Sequence, residues 1–132
     1  MGVRSEYIWF DGQLVPYADA KVHVLTHTLH YGLGVFEGIR AYAQPDGAAG
    51  VWRLKEHLQR FLDSIRMCHM PTCPHSLDDL MAAVAETLRA NKMTEGYIRP
   101  LAFLGDGAMG LGARNNPLHV VIAVWEWGSY LG

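Results

Sequence analysis

Arg99 is the residue whose surroundings ask first for chemistry. It lies in Tyr97-Ile-Arg-Pro-Leu-Ala-Phe, a run that otherwise reads as a buried strand. A guanidinium taken out of water is costly unless it is paired, and its planar fork matches a carboxylate. An ion pair inside the fold and an anionic ligand meet that need equally well. Strand alternation points Tyr97 the same way as Arg99, so the two can line one pocket. Arg60 reads differently. It sits opposite the apolar stripe of a helix with Glu56 four residues before it, the spacing of a solvated ion pair.

Two further patterns tempt. Gly105-Asp-Gly107-Ala-Met-Gly110 follows a strand and spells a dinucleotide fingerprint, with Glu126 about twenty residues on. That mechanism needs a helix to open at the glycines. Leu111-Gly-Ala-Arg-Asn-Asn-Pro117 cannot supply one, so a flexible loop between antiparallel strands is expected. His23, His27 and His30 would share a face if their segment were helical, which suggests a metal. But Lys21-Val-His-Val alternates like a strand, and no metal is expected. Phe36, Trp125 and Trp127 suit a core, whereas Tyr31 and Tyr130 sit among turn-like residues.

The elements that must position these residues are legible. Asp11-Gly12 between Tyr7-Ile-Trp-Phe and Gln13-Leu-Val predicts a tight hairpin. Val35 to Tyr42 and Gly50 to Leu54 predict strands, joined by the turn residues Gln44-Pro-Asp-Gly. Leu58, Phe61, Leu62, Ile65 and Cys68 form one helical stripe, and Leu77, Leu80, Met81, Val84 and Leu88 form a second. The first stripe favours a buried Cys68. Ser76 is placed to cap the second helix, with Asp79 three residues on. Pro71 and Pro74 separate the two. Tyr97 to Leu104 and His119 to Trp125 read as long buried strands. Grouped strands and helices predict an α+β fold, a largely antiparallel sheet packed with two helices. Residues 1–126 are expected to form this domain, and 127–132 to begin a linker.

Composition excludes little else. With 132 residues the chain can bury a core, and a net charge near −2 gives no reason to expect nucleic acid or an anionic membrane. No apolar run reaches membrane-spanning length. Without an apolar segment behind Arg4, no signal peptide is expected, and a reducing cytoplasm suits the two cysteines.

Taken in order, the motifs resemble a known family. They are Tyr7-Ile-Trp-Phe-Asp-Gly, Ala20-Lys-Val-His-Val, His27-Thr-Leu-His-Tyr-Gly, Val35-Phe-Glu-Gly-Ile-Arg40, Glu56-His-Leu-Gln-Arg60, Gly96-Tyr-Ile-Arg-Pro100, Gly105-Asp-Gly-Ala-Met-Gly110 and Trp127-Gly-Ser-Tyr-Leu-Gly132. The chain resembles the N-terminal small domain of the branched-chain amino acid aminotransferases, enzymes of the fold-type IV pyridoxal 5'-phosphate group. Phe-Glu-Gly-Ile-Arg alone marks the wider group, which includes D-amino acid aminotransferases and aminodeoxychorismate lyases. Tyr-Ile-Arg-Pro and the last motif are narrower.

The resemblance implies that Arg60 contacts the cofactor phosphate, against the reading from spacing. It implies that Phe36, Tyr97, Trp127 and Tyr130 line the pocket for an aliphatic side chain. Arg99 would take the side-chain carboxylate of glutamate, and Tyr31 and Leu111 would reach into a neighbouring subunit's site. It also implies small amino acids and 2-oxo acids as partners, and a homodimer or larger homo-oligomer. The cofactor lysine is not matched by Lys21, Lys55 or Lys92. It is expected beyond residue 132 in a C-terminal domain, which would make this chain an inactive piece of the enzyme. A non-catalytic binding or dimerisation module stands as the reading from another class.

Overall fold

Alternating apolar residues need two faces, and the chain supplies one sheet with its two long helices on a single side. The computed structural model describes residues 4–127. Strands β1 (Tyr7–Phe10) and β2 (Gln13–Pro16) form the expected hairpin, with positive φ at Asp11 and Gly12. A 3-10 turn at Tyr17–Asp19 and a short helix α1 (His27–Tyr31) lead to β3 (Gly34–Phe36), β4 (Ile39–Ala43) and β5 (Ala49–Val51). Helices α2 (Leu54–Met67) and α3 (Leu77–Ala90) come next, then β6 (Gly96–Leu104) and β7 (Leu118–Trp125). Among the described residues these strands make one sheet in the order β2-β1-β7-β6-β4-β5, with β3 beside β6, and every pairing is antiparallel.

The expected α+β architecture is present. Ile98, Ala102, Val120, Ile122, Val124, Trp9, Ile39 and Ala41 face the helices and pack on Leu58, Phe61, Ile65, Leu80, Val84 and Leu88. Ser76 caps α3 with a reciprocal bond to Asp79, as its spacing predicts. The opposite sheet face carries an apolar depression lined by Ile8, Phe10, Leu29, Leu101, Phe103 and Val121.

Several local expectations are corrected. Residues 21–24 form no strand; they lead instead into α1, a third helix too short to persist alone. Tertiary contact holds it: the His27 amide donates to Gly105 O at 3.2 Å, and Gly32 at φ 71 ends it. Tyr31 is therefore a helix-terminal residue rather than a turn residue. The single strand expected over 35–42 is split at Glu37 and Gly38. Its register continues, with Phe36 opposite Leu101 and Ile39 opposite Ile98. Pro100 lies opposite Glu37 and has no N–H to return, so only the Glu37 amide bonds there. The strand expected over 50–54 ends at Val51, and Leu54 opens α2 after Arg53 turns at φ 49. Cys68 is exposed because α2 stops at Met67; His69 at φ 53 reverses the chain and Met70 takes the buried place. Among the described residues no helix is long and apolar enough to cross a membrane.

Candidate active site

Two groups of side chains diverge from residues 36–38, because successive residues of an extended chain face opposite ways. Phe36 and Gly38 turn to the face away from α2 and α3. Glu37 turns toward α2.

On the open face, Arg99 and Tyr97 of β6 stand beside Trp125 of β7. The Arg99 guanidinium lies 4.2 Å from the Phe36 ring centre, 5.3 Å from Tyr97 and 5.8 Å from Trp125. Its Nη2 donates to the Tyr97 hydroxyl at 3.0 Å. Its Nε is buried with no hydrogen-bond partner, and no carboxylate pairs with Arg99 among the described residues. The internal ion pair that the sequence allowed is therefore not what meets this charge. Aromatic faces hold it by cation–π attraction and leave donors for an anion. Trp127 joins the group edge-on, 4.6 Å from the Tyr97 ring. Its carbonyl accepts from Arg40 Nη2 at 3.2 Å. Phe36 is 60 % exposed, so it borders the open side. Tyr130 lies outside the described residues.

Gly38 is what admits this arrangement. A Cβ built on it would overlap the Tyr97 hydroxyl.

On the other side, Glu37 is buried and holds Arg60 by two bonds: Nε to Oε1 at 2.6 Å and Nη2 to Oε2 at 2.8 Å. His57, one helical turn before Arg60, places Nδ1 2.9 Å from Oε2. The Arg60 hydrogen bonds, then burial acting the other way, leave the Glu37 carboxyl below its ordinary range. The same contact raises Arg60. Glu56 does not take Arg60; it pairs with Arg53 at 3.7 Å. A guanidinium has five donors, and Glu37 occupies two of them. The far edge of Arg60, on a side chain 68 % exposed, is open to an anion such as a phosphate.

A third group is built from α1 and the loop between β6 and β7. The Gly110 amide donates to the Tyr31 hydroxyl at 3.1 Å, and His27 Nε2 lies 2.8 Å from Gly110 O. Buried Asn116 bonds Gly105 O, Ala108 O and the Ala108 amide at 3.0, 2.9 and 2.9 Å. Leu111 projects from this frame, 87 % exposed. The loop is tied by side chains and opens no helix, so its glycines form no dinucleotide cradle. The rings of His23, His27 and His30 are each engaged with backbone atoms, and no metal-ligand cluster occurs among the described residues.

The structure thus gathers Phe36, Tyr97, Arg99 and Trp127, sets Arg60 on the far side of residue 37, and pairs Tyr31 with the base of Leu111. Sequence reasoning gives no role to Glu37, His57, Arg40, His27 or Asn116. All but Asn116 lie within the recurring motifs, but their partners are distant in sequence and leave no local signal.

Known proteins resemble this chain over nearly all of its length. The family model described as Amino-transferase class IV matches residues 34–132. The branched-chain-amino-acid aminotransferase of Pseudomonas aeruginosa is 48 % identical over 132 residues, covering 100 % of this chain and 42 % of that protein. The crystal structure of the Escherichia coli branched-chain amino acid aminotransferase superposes with a TM-score of 0.92 at 45 % identity, covering 98 % of this chain and 42 % of that one. A T.th. branched-chain amino acid aminotransferase complexed with N-(5'-phosphopyridoxyl)-L-glutamate gives 0.90 at 42 % identity, covering 96 % and 42 %. The chain spans about two fifths of the length of these relatives.

Proposed function

The chain belongs to the Amino-transferase class IV family, and from that premise we propose that it forms part of a transaminase. The enzyme would move an amino group between branched-chain L-amino acids and 2-oxoglutarate, using pyridoxal 5'-phosphate. The observation that carries this reading is Arg99 within the Phe36, Tyr97 and Trp125 rings, with Trp127 beside Tyr97. One pocket must accept both a leucine-like and a glutamate-like side chain. Ring faces bury the first, and a charge-assisted bond from Arg99 takes the second.

Bound pyridoxal phosphate supplies the electron sink for the exchange. The open edge of Arg60 fits the cofactor's phosphate. Tyr97 orients Arg99 through its hydroxyl, and Trp127 with Tyr130 would exclude water from the aliphatic side chain. Tyr31 and Leu111 would serve a neighbouring subunit's site in a homodimer or larger homo-oligomer. Lys21, Lys55 and Lys92 are all exposed, and none bonds Phe36, Tyr97, Arg99 or Arg60. We assign the cofactor lysine to a second domain of a longer protein, with residues 127–132 leading toward it. Free Cys68 and Cys73 accord with a reducing cytoplasm.

The test is product formation by a longer protein that contains this chain. It should make L-glutamate from L-leucine and 2-oxoglutarate. Turnover of D-alanine or aminodeoxychorismate in place of L-leucine would overturn the assignment.

A further inference from the structure

Glu37 is a buried carboxylate to which the proposed function gives no task. We propose that it is a positioning residue, which holds Arg60 in the one orientation that grips the cofactor phosphate. This rests on the reading of Arg60 as the phosphate contact.

The asymmetry of the pair is the telling feature. The Glu37 side chain is 6 % exposed and that of Arg60 68 %. An exposed arginine ordinarily samples many rotamers, and a surface ion pair does little to hold it. Here the acid is the fixed member. Its amide bonds Pro100 O at 3.0 Å, and His57 engages Oε2 from the same helix that carries Arg60. Both carboxylate oxygens then clasp the Nε and Nη2 edge of Arg60. Only the outer edge, with the Nη1 hydrogens and one on Nη2, is left to a second anion. Because the guanidinium is already oriented, a phosphate need not immobilise it on arrival.

Positioning and plain electrostatics differ in sign here. Glu37 is an anion beside the phosphate position, so charge alone says that removing it should tighten phosphate binding. Positioning says that removing it should weaken binding.

The experiment measures dissociation constants for pyridoxal phosphate and for pyridoxal, which lacks the phosphate, on a longer protein containing this chain. The ratio of the two cancels what the ring and aldehyde contribute. With Glu37→Gln the preference for the phosphate form should fall about fivefold, the cost of immobilising one long side chain. Glu37→Asp keeps the charge but lacks one methylene of reach, so its carboxylate stands back from Arg60, and it should lose the preference as well. A preference unchanged or increased in Glu37→Gln, or wild-type in Glu37→Asp, would overturn the proposal. Arg60→Ala separates the two levels. It should cut the preference by about ten- to a hundredfold, as loss of charge-assisted bonds does. If it does not, the phosphate reading of Arg60 fails, and the role of Glu37 fails with it.

Discussion

A single missing methyl group shapes the site at the level of individual residues. Tyr97 reaches Arg99 only because position 38 has no Cβ. Gly38→Ala should push the hydroxyl off Arg99 and raise KM for L-glutamate on the order of tenfold, more than KM for L-leucine. Steady-state kinetics with both amino acids checks this; equal KM changes would contradict it. Glu37 sets a pH dependence. Its carboxyl is held below the ordinary value, chiefly by Arg60. A depressed group stabilises the fold above its unfolded pKa, and that contribution is lost as pH falls through the lower folded value. Wild type should therefore melt above Glu37→Gln at neutral pH, and the gap should narrow once pH falls below the ordinary carboxylate value and close below the lower folded one. A gap that persists in acid would show that the ion pair is not its source. At this scale the sequence is half legible. Arg99 announces itself because a charge in an apolar strand is anomalous whatever surrounds it. Arg60 does not, because its partner is brought to it by β3 and β4, and the local spacing offers Glu56 instead.

Among the elements, those with internal signals are legible from sequence. The Asp-Gly hairpin, the Ser76 cap and the long strands β6 and β7 each carry their own turn chemistry or alternation. Ser76→Ala should cost about 1 kcal/mol, seen as a lower denaturant midpoint. The elements that depart from expectation depend on neighbours. Helix α1 exists because it docks on Gly105, and the break at Glu37 exists because proline stands across from it. The loop after β6 reads as flexible from its glycines, yet Asn116 ties it from within. Asn116→Ala should destabilise the fold by about 2–3 kcal/mol, since buried backbone groups lose their partners. A denaturation midpoint within error of wild type would show that these bonds are not what holds the loop.

Across the whole molecule, the placement of both long helices on one side of the sheet organises the site. The core lies between the sheet and α2 and α3, which leaves the other face free to carry Arg99, Tyr97, Phe36 and Trp125. Strand alternation makes the shared direction of Tyr97 and Arg99 readable from the residues alone, whereas Phe36 and Trp125, which their types assign to a core, join them only in the fold. The separation of Arg60 from this face has no such local signature, because it follows from α2 packing beneath the break between β3 and β4 where Glu37 lies. In the proposed function, one aromatic pocket would use Arg99 for the acidic substrate alone. Single-turnover rates of a longer protein containing this chain, compared with Arg99→Met, test it most directly. The variant should lose about a hundredfold on L-glutamate and stay within a few-fold of wild type on L-leucine. An equal loss on both amino acids would contradict it.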